Sequence, residues 1–163
     1  MVFLKWLDMV ERYIVAILSA ALTLVVFFQI LNRIFFKLNI IWPEESARYM
    51  MVWMVFMASV LAFKRGANIG IDMITSRIKG TPAKMFLVFQ SVVIIAFAAM
   101  VGYFALPIIE MQFELSQTSP ALKLNIAWVY LAIPVWGALT IVEIGAALLQ
   151  SLRAQKEKEK AWS

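Results

Sequence analysis

The sequence predicts an all-α membrane protein: four transmembrane helices, accompanied by amphipathic helices at the membrane surface. Three observations carry this reading. Hydrophobic residues fill 63% of the 163 positions and charged residues only 15%, whereas a soluble domain is close to half apolar. So small a globule cannot hide that excess inside, because much of its surface must face its surroundings. The charges are also clustered, which leaves long charge-free windows of the length a bilayer requires. Finally, there is no Cys and no His. Disulfides, thiolate metal sites and imidazole proton shuttles are therefore absent from the chemistry available to the chain.

The elements follow in order. Residues 1–12 place Phe3, Trp6, Leu7 and Val10 at helical spacing, with Lys5, Asp8 and Arg12 on the other side. This pattern predicts an amphipathic helix in the membrane interface. Residues 13–33 form the first span, a charge-free run closed by Arg33. Asp8 and Glu11 precede it, and its apolar run is longer than a signal-peptide core, so a cleavable signal is not expected. The second span is less obvious. The charge-free window 49–63 would reach only about 22 Å at a helical rise of about 1.5 Å per residue, short of a hydrocarbon core of about 30 Å. Starting the span at 43 restores the length. The stretch WPEESAR, with Glu44, Glu45 and Arg48, then becomes the first turns of the span itself.

Residues 66–82 carry Ala67, Ile71, Ile74 and Ile78 on one face with Arg77 and Lys79 beside them. They are expected to lie in the interface as a short helix that Asp72 caps and Gly80 ends. Residues 84–109 and 124–149 make the third and fourth spans, and the basic tail 150–163 has too little apolar content to pack. Trp6, Lys64, Arg65, Arg77 and Lys79 are the expected interfacial anchors on one side of the membrane.

Basic residues orient the spans. Eleven of the 15 Lys and Arg fall on the face of the two termini and the 64–84 connection. Only Arg33, Lys37, Arg48 and Lys123 fall on the other. The termini are therefore expected in the cytoplasm and the WPEE turn outside. In this setting the net charge of +5 reflects cytoplasmic loops, and no nucleic-acid partner is expected.

Chemistry is sparse. There is no nucleophile paired with a base, no metal cage and no phosphate-cradling glycine loop, so neither an enzyme nor a bound cofactor is expected. A membrane carrier normally shows polar groups near mid-span. Here Gln29, Gln90, Ser91 and Glu143 all lie near span ends, and Glu143 is expected to reach the cytoplasmic headgroups. The charged turn has its own logic. Pro43 suits a first helical turn, the helix dipole favours Glu44 and Glu45, and Arg48 follows Glu44 by four residues. Arg33 is positioned to pair with Glu45 across the first two spans. The turn either neutralises its own charges or shares them with a partner protein.

The run NRIFFKLNIIWPEESARYMMVWMVFMASVLAFKRGANIGIDMI resembles the signature of the small membrane subunit of TRAP (tripartite ATP-independent periplasmic) transporters. The features that carry the resemblance are Arg33 closing the first span, the Trp42-x-Glu44-Glu45 turn, Arg48, Trp53, the Lys64–Arg65 pair, and Ile69 with Asp72. The stretch SPALKLNIAWVYLAIPVWGAL, with Trp128, Tyr130 and Pro134, resembles the opening of that family's fourth span. Asn68 stands where the family often has His, and Ala58 where Gly is common.

The resemblance implies a non-catalytic scaffold subunit, in an unfused form, in the bacterial inner membrane. Its partners would be a large elevator-type membrane subunit, a periplasmic substrate-binding protein and membrane lipids. The complex would import an organic acid of the sialic acid or C4-dicarboxylate class by sodium symport. Arg33, Trp42, Glu44, Glu45, Arg48, Trp53 and Asp72 are the candidate partner-interface residues. The alternative is an autonomous four-span exporter acting as a homo-oligomer.

Overall fold

The computed structural model describes residues 2–38, 40–77 and 81–160, with side chains over 6–38, 40–63, 82 and 85–152. Helices dominate: α1 (Val2–Leu31), a π-helical turn (Asn32–Phe36), α2 (Trp42–Arg77), α3 (Thr81–Glu114), the single turn α4 (Ala127–Tyr130) and α5 (Ala132–Lys160). Four stretches are long and apolar enough to cross a membrane: Trp6–Phe36, Trp42–Phe63, Met85–Glu114 and Ala127–Leu152. Together with the membership established below, they make this a multi-pass membrane protein.

The helices are longer than the windows that predict them. No Gly or Pro interrupts residues 2–31, so the amphipathic N-terminus and the first span are one continuous helix. Likewise α2 runs unbroken to Arg77. The separate helix expected to begin at Asp72 does not form, and Asp72 is a helix-interior position. Gly66 and Gly70 each cost about 1 kcal/mol relative to Ala. A break would instead open two new helix ends, each with unpaired backbone groups. The third helix also outruns its window. It passes through Pro107 to Glu114, although Pro107 has no N–H to offer the carbonyl one turn earlier.

The first span is closed by Asn32. The Lys37 N–H reaches back to the Asn32 carbonyl (2.7 Å), and Lys37 takes up a left-handed conformation (φ 50°). The buried Asn32 amide donates to the Leu38 carbonyl at 2.8 Å, so backbone that leaves the helix still finds a partner. Pro134 shapes the fourth span in the same way. Its missing N–H removes the bond to the Tyr130 carbonyl, and the break between α4 and α5 falls at Leu131.

Packing is uneven. Helix α1 packs extensively on α2, α3 pairs with α5, and α2 joins the two pairs by lying against α5. Small residues allow the α3–α5 approach. A Cβ added at Gly137 would lie 3.0 Å from the Ala98 carbonyl oxygen and 3.7 Å from the Gly102 Cα. Trp136, 4% exposed, fills the centre with Val60 and Ala98. Phe56, Phe63 and Phe97 surround its ring at centroid distances of 5.8, 6.2 and 6.1 Å. A second apolar cluster, Ala105, Ile109 and Ala127, closes the end nearer the α3–α4 loop.

Candidate functional site

The charged turn at the head of α2 is the most polar place on an otherwise apolar chain. Trp42 opens the helix, Pro43 is buried in its first turn, and Glu44 and Glu45 follow. At about 100° per residue the two acids diverge, and the structure uses them differently. Glu44 is exposed and meets Arg48 at 3.3 Å. Glu45 turns inward and crosses to the loop between α3 and α4. One of its carboxylate oxygens accepts the backbone N–H groups of Ala121 (3.1 Å) and Leu122 (3.0 Å). The Ser119 side chain lies beside the same carboxylate.

The loop is built to present those donors. Thr118 and Asn125 face one another in an isolated antiparallel bridge. The Ser119 N–H donates to the Leu124 carbonyl (2.9 Å), and the Ile126 N–H to the Gln117 carbonyl (2.9 Å). Ser116 and Lys123 adopt left-handed backbone conformations (φ 46° and 53°), turning the chain at either end. Asn125 then accepts the Ala127 N–H at 2.9 Å, which starts α4. The Leu122 N–H also donates to the Ser119 hydroxyl within the loop at 3.2 Å, and a carboxylate is the natural acceptor for adjacent N–H donors such as those of Ala121 and Leu122.

This geometry corrects the expected Arg33–Glu45 pair. Among the described residues the salt bridges are Asp8–Arg12 (2.8 Å) and Glu44–Arg48 (3.3 Å), and Arg33 is exposed on the π-helical turn. Glu45 is instead directed at the backbone amides of Ala121 and Leu122. Trp42, 43% exposed, stacks on Phe28 of α1 at 5.9 Å. Trp53 donates from its indole N–H to the Trp128 carbonyl at 3.2 Å, tying α2 to α4.

The turn is thus a joint between α1, α2 and the α3–α4 loop of the same chain. Arg33, Glu44, Arg48 and the outer edge of Trp42 face away from it. The backbones of Lys64, Arg65, Asp72 and Arg77 lie in α2. Their side chains, and all of Lys79, lie outside the described residues. Trp6 sits on α1 and is 58% exposed.

Two acids are placed unexpectedly. Glu143, expected at the headgroups, is 2% exposed, and Glu11 is 1% exposed. Glu143 follows the buried Trp136 by seven residues and the buried Thr140 by three, so it shares their inward face. Reaching the headgroups would require the lipid face. Neither acid is without a partner. Ser119 and the loop amides are the functional groups that sequence reasoning missed. Their only sequence signal is the Ser119–Pro120 dipeptide that opens the segment.

Comparison with known proteins identifies the family. The family described as "Tripartite ATP-independent periplasmic transporters, DctQ component" matches residues 22–154. The chain is 34% identical over 115 residues to an isethionate TRAP transporter permease protein DctMQ of Oleidesulfovibrio alaskensis, covering 71% of this chain and 18% of that protein. It is 31% identical over 70 residues to the C4-dicarboxylate TRAP transporter small permease protein DctQ of Vibrio cholerae, covering 43% of this chain and 30% of that one. It is 23% identical over 166 residues to the Rhodobacter capsulatus protein of the same description, covering 83% and 73%. The chain thus spans under a third of the first two relatives' lengths. These relatives are transport subunits rather than catalysts. With four apolar helices in sequence and a match over most of its length, the chain belongs to the DctQ component family of the tripartite ATP-independent periplasmic transporters.

Proposed function

We propose that the chain is the stationary, non-catalytic small subunit of such a transporter, holding a large membrane subunit that carries the substrate. One observation supports this most directly: the interior is plugged. The Trp136 cluster and the Ala105–Ile109–Ala127 cluster are both apolar. A hydrophilic anion crossing a membrane requires a polar path, and neither of these two clusters supplies one. The fused DctMQ relative supports a large-subunit partner. Arg33, Trp42, Glu44 and Arg48, exposed at one end of the bundle, are the residues available to it at that end.

The transported substrate is an organic anion taken up by sodium symport, with a periplasmic binding protein delivering it. Two relatives named for C4-dicarboxylates favour that class over sialic acid, which rests on overall resemblance alone. The termini lie in the cytoplasm of a cell with an inner membrane, because the basic residues crowd that face.

Reconstitution decides between this reading and a self-sufficient exporter. Liposomes holding the chain with its large subunit should accumulate the organic anion when sodium and the binding protein are supplied, and liposomes holding the chain alone should not. Transport by the chain alone would overturn the proposal. So would failure of the tagged chain to recover a large membrane subunit when the two are co-expressed.

A further inference from the structure

A crevice of about 240 Å³ opens between α2 and the α4–α5 segment, just below the charged turn. Arg48 stands at its mouth. Tyr49, Val52, Ile126, Val129, Tyr130 and Ile133 complete its lining. The volume exceeds the cavity of about 150 Å³ that is known to accept benzene, so several methylene groups fit. Its walls are fixed by bonds already described. The Trp53 indole ties α2 to the Trp128 carbonyl, and Glu45 holds the loop above. The slot is therefore formed before anything enters it.

The order of chemical groups along the slot identifies the occupant. Helical side chains lean towards the N-terminus, so the Arg48 guanidinium rises towards Glu44 and the end of the span. Val52, one turn further along, points to a deeper level, about 6 Å at helical rise. A cation at the membrane edge above an apolar slot running inward matches a phosphate joined to an acyl chain. The match is of charge as well as shape, because a guanidinium binds phosphate oxygens in a fork.

We propose that this crevice binds one glycerophospholipid of the leaflet at the Trp42 end, with Arg48 on its phosphate and an acyl chain along Val52, Val129 and Ile133. The inference rests on α2 spanning the membrane and not on assembly with a large subunit, so the two stand or fall separately. Glu44, 3.3 Å from Arg48, competes with the phosphate for the guanidinium.

Native mass spectrometry of the full chain, released from micelles doped with phosphatidylglycerol or phosphatidylethanolamine, tests the site. One lipid should be retained above the non-specific distribution. Arg48→Gln should lower the bound-to-free ratio about tenfold, the loss of a charged hydrogen bond. Val129→Trp should lower it similarly by filling the slot, and Glu44→Gln should raise it. Inorganic phosphate should not displace the lipid, because it gains nothing from the slot. If Val129→Trp fails to fold, Arg48→Gln and Glu44→Gln, both at exposed positions, still decide. Unchanged retention in those two variants would overturn the proposal. So would photo-crosslinking from position 129 in cells that captures the large membrane subunit in place of lipid, and displacement by inorganic phosphate would reduce the site to a bare anion contact.

Discussion

Glu45 illustrates how one side chain can be polar for reasons internal to the fold. Its carboxylate serves two backbone amides, beside the Ser119 side chain, across a gap of more than seventy positions in sequence. Glu45→Gln should therefore loosen the 118–125 hairpin, read as faster hydrogen exchange at the Ala121 and Leu122 amides with the helices still protected. Swapping charges does not repair such a contact, because an amide N–H cannot change sign. The double variant Glu45→Arg, Arg33→Glu should show the same fast exchange as Glu45→Arg alone. Recovery of protection in the double variant would mean that the two side chains pair after all. At the other end of the polarity scale, Trp136 is 4% exposed beneath three aromatic rings. Trp136→Ala should cost about 3–5 kcal/mol, visible as a large fall in the thermal midpoint of the detergent-solubilised chain.

Among elements, the α3–α5 pair depends on closeness. Lipid tails are as apolar as Leu, so spans gain little from apolar burial alone and associate through packing contact. Gly137 is where that contact is tightest. Gly137→Ala places a methyl 3.0 Å from a backbone carbonyl oxygen that cannot swing aside, and should destabilise by about 1–3 kcal/mol. Gly102→Ala is the matched control. Its new methyl would meet nothing nearer than 3.9 Å, and the helix gains propensity, so its thermal midpoint should hold or rise. Equal losses in both variants would show that the crossing tolerates no added volume anywhere. The step at Leu131 belongs to this scale too. It is set by Pro134, and it aims α4 so that the Trp128 carbonyl meets Trp53.

At the scale of the molecule, the four spans do not close into a symmetric bundle. Helix α1 leans on α2, and its long flank, including Ile17, Leu24 and Phe27, is exposed. In a bilayer that flank meets lipid or protein, and its Leu, Ile and Phe side chains suit either. The topology is open to direct test because the chain has no Cys. Single cysteines at Lys37 and at Lys158 should label oppositely with a membrane-impermeant maleimide. Lys37→Cys should react in intact spheroplasts, and Lys158→Cys only after permeabilisation. The reverse pattern would invert the orientation derived from the basic residues, and reaction of both would place the two positions on one side of the membrane and overturn the topology.

The sequence by itself determined the all-α class and the number of long apolar helices. Those properties follow from composition and from window length, which are additive along the chain. It also sets the head of the second span at 43, because 49–63 is too short to cross, and α2 begins at Trp42. Its helix ends were less legible. Charges such as Arg12 and Glu110 bound a hydrophobic window without breaking a helix, so α1 and α3 run past them. What only the tertiary structure decided is where each polar group points. Glu45, Glu11 and Glu143 lie on helices whose rotation about their own axes is set by neighbours: a loop hairpin for the first, the α1–α2 contact for the second, and the Trp136–Thr140 face of α5 for the third. A helical period tells which residues share a face, but not which face is turned inward. For that reason the Glu45 joint and the Arg48 crevice became visible only when distant segments were brought together.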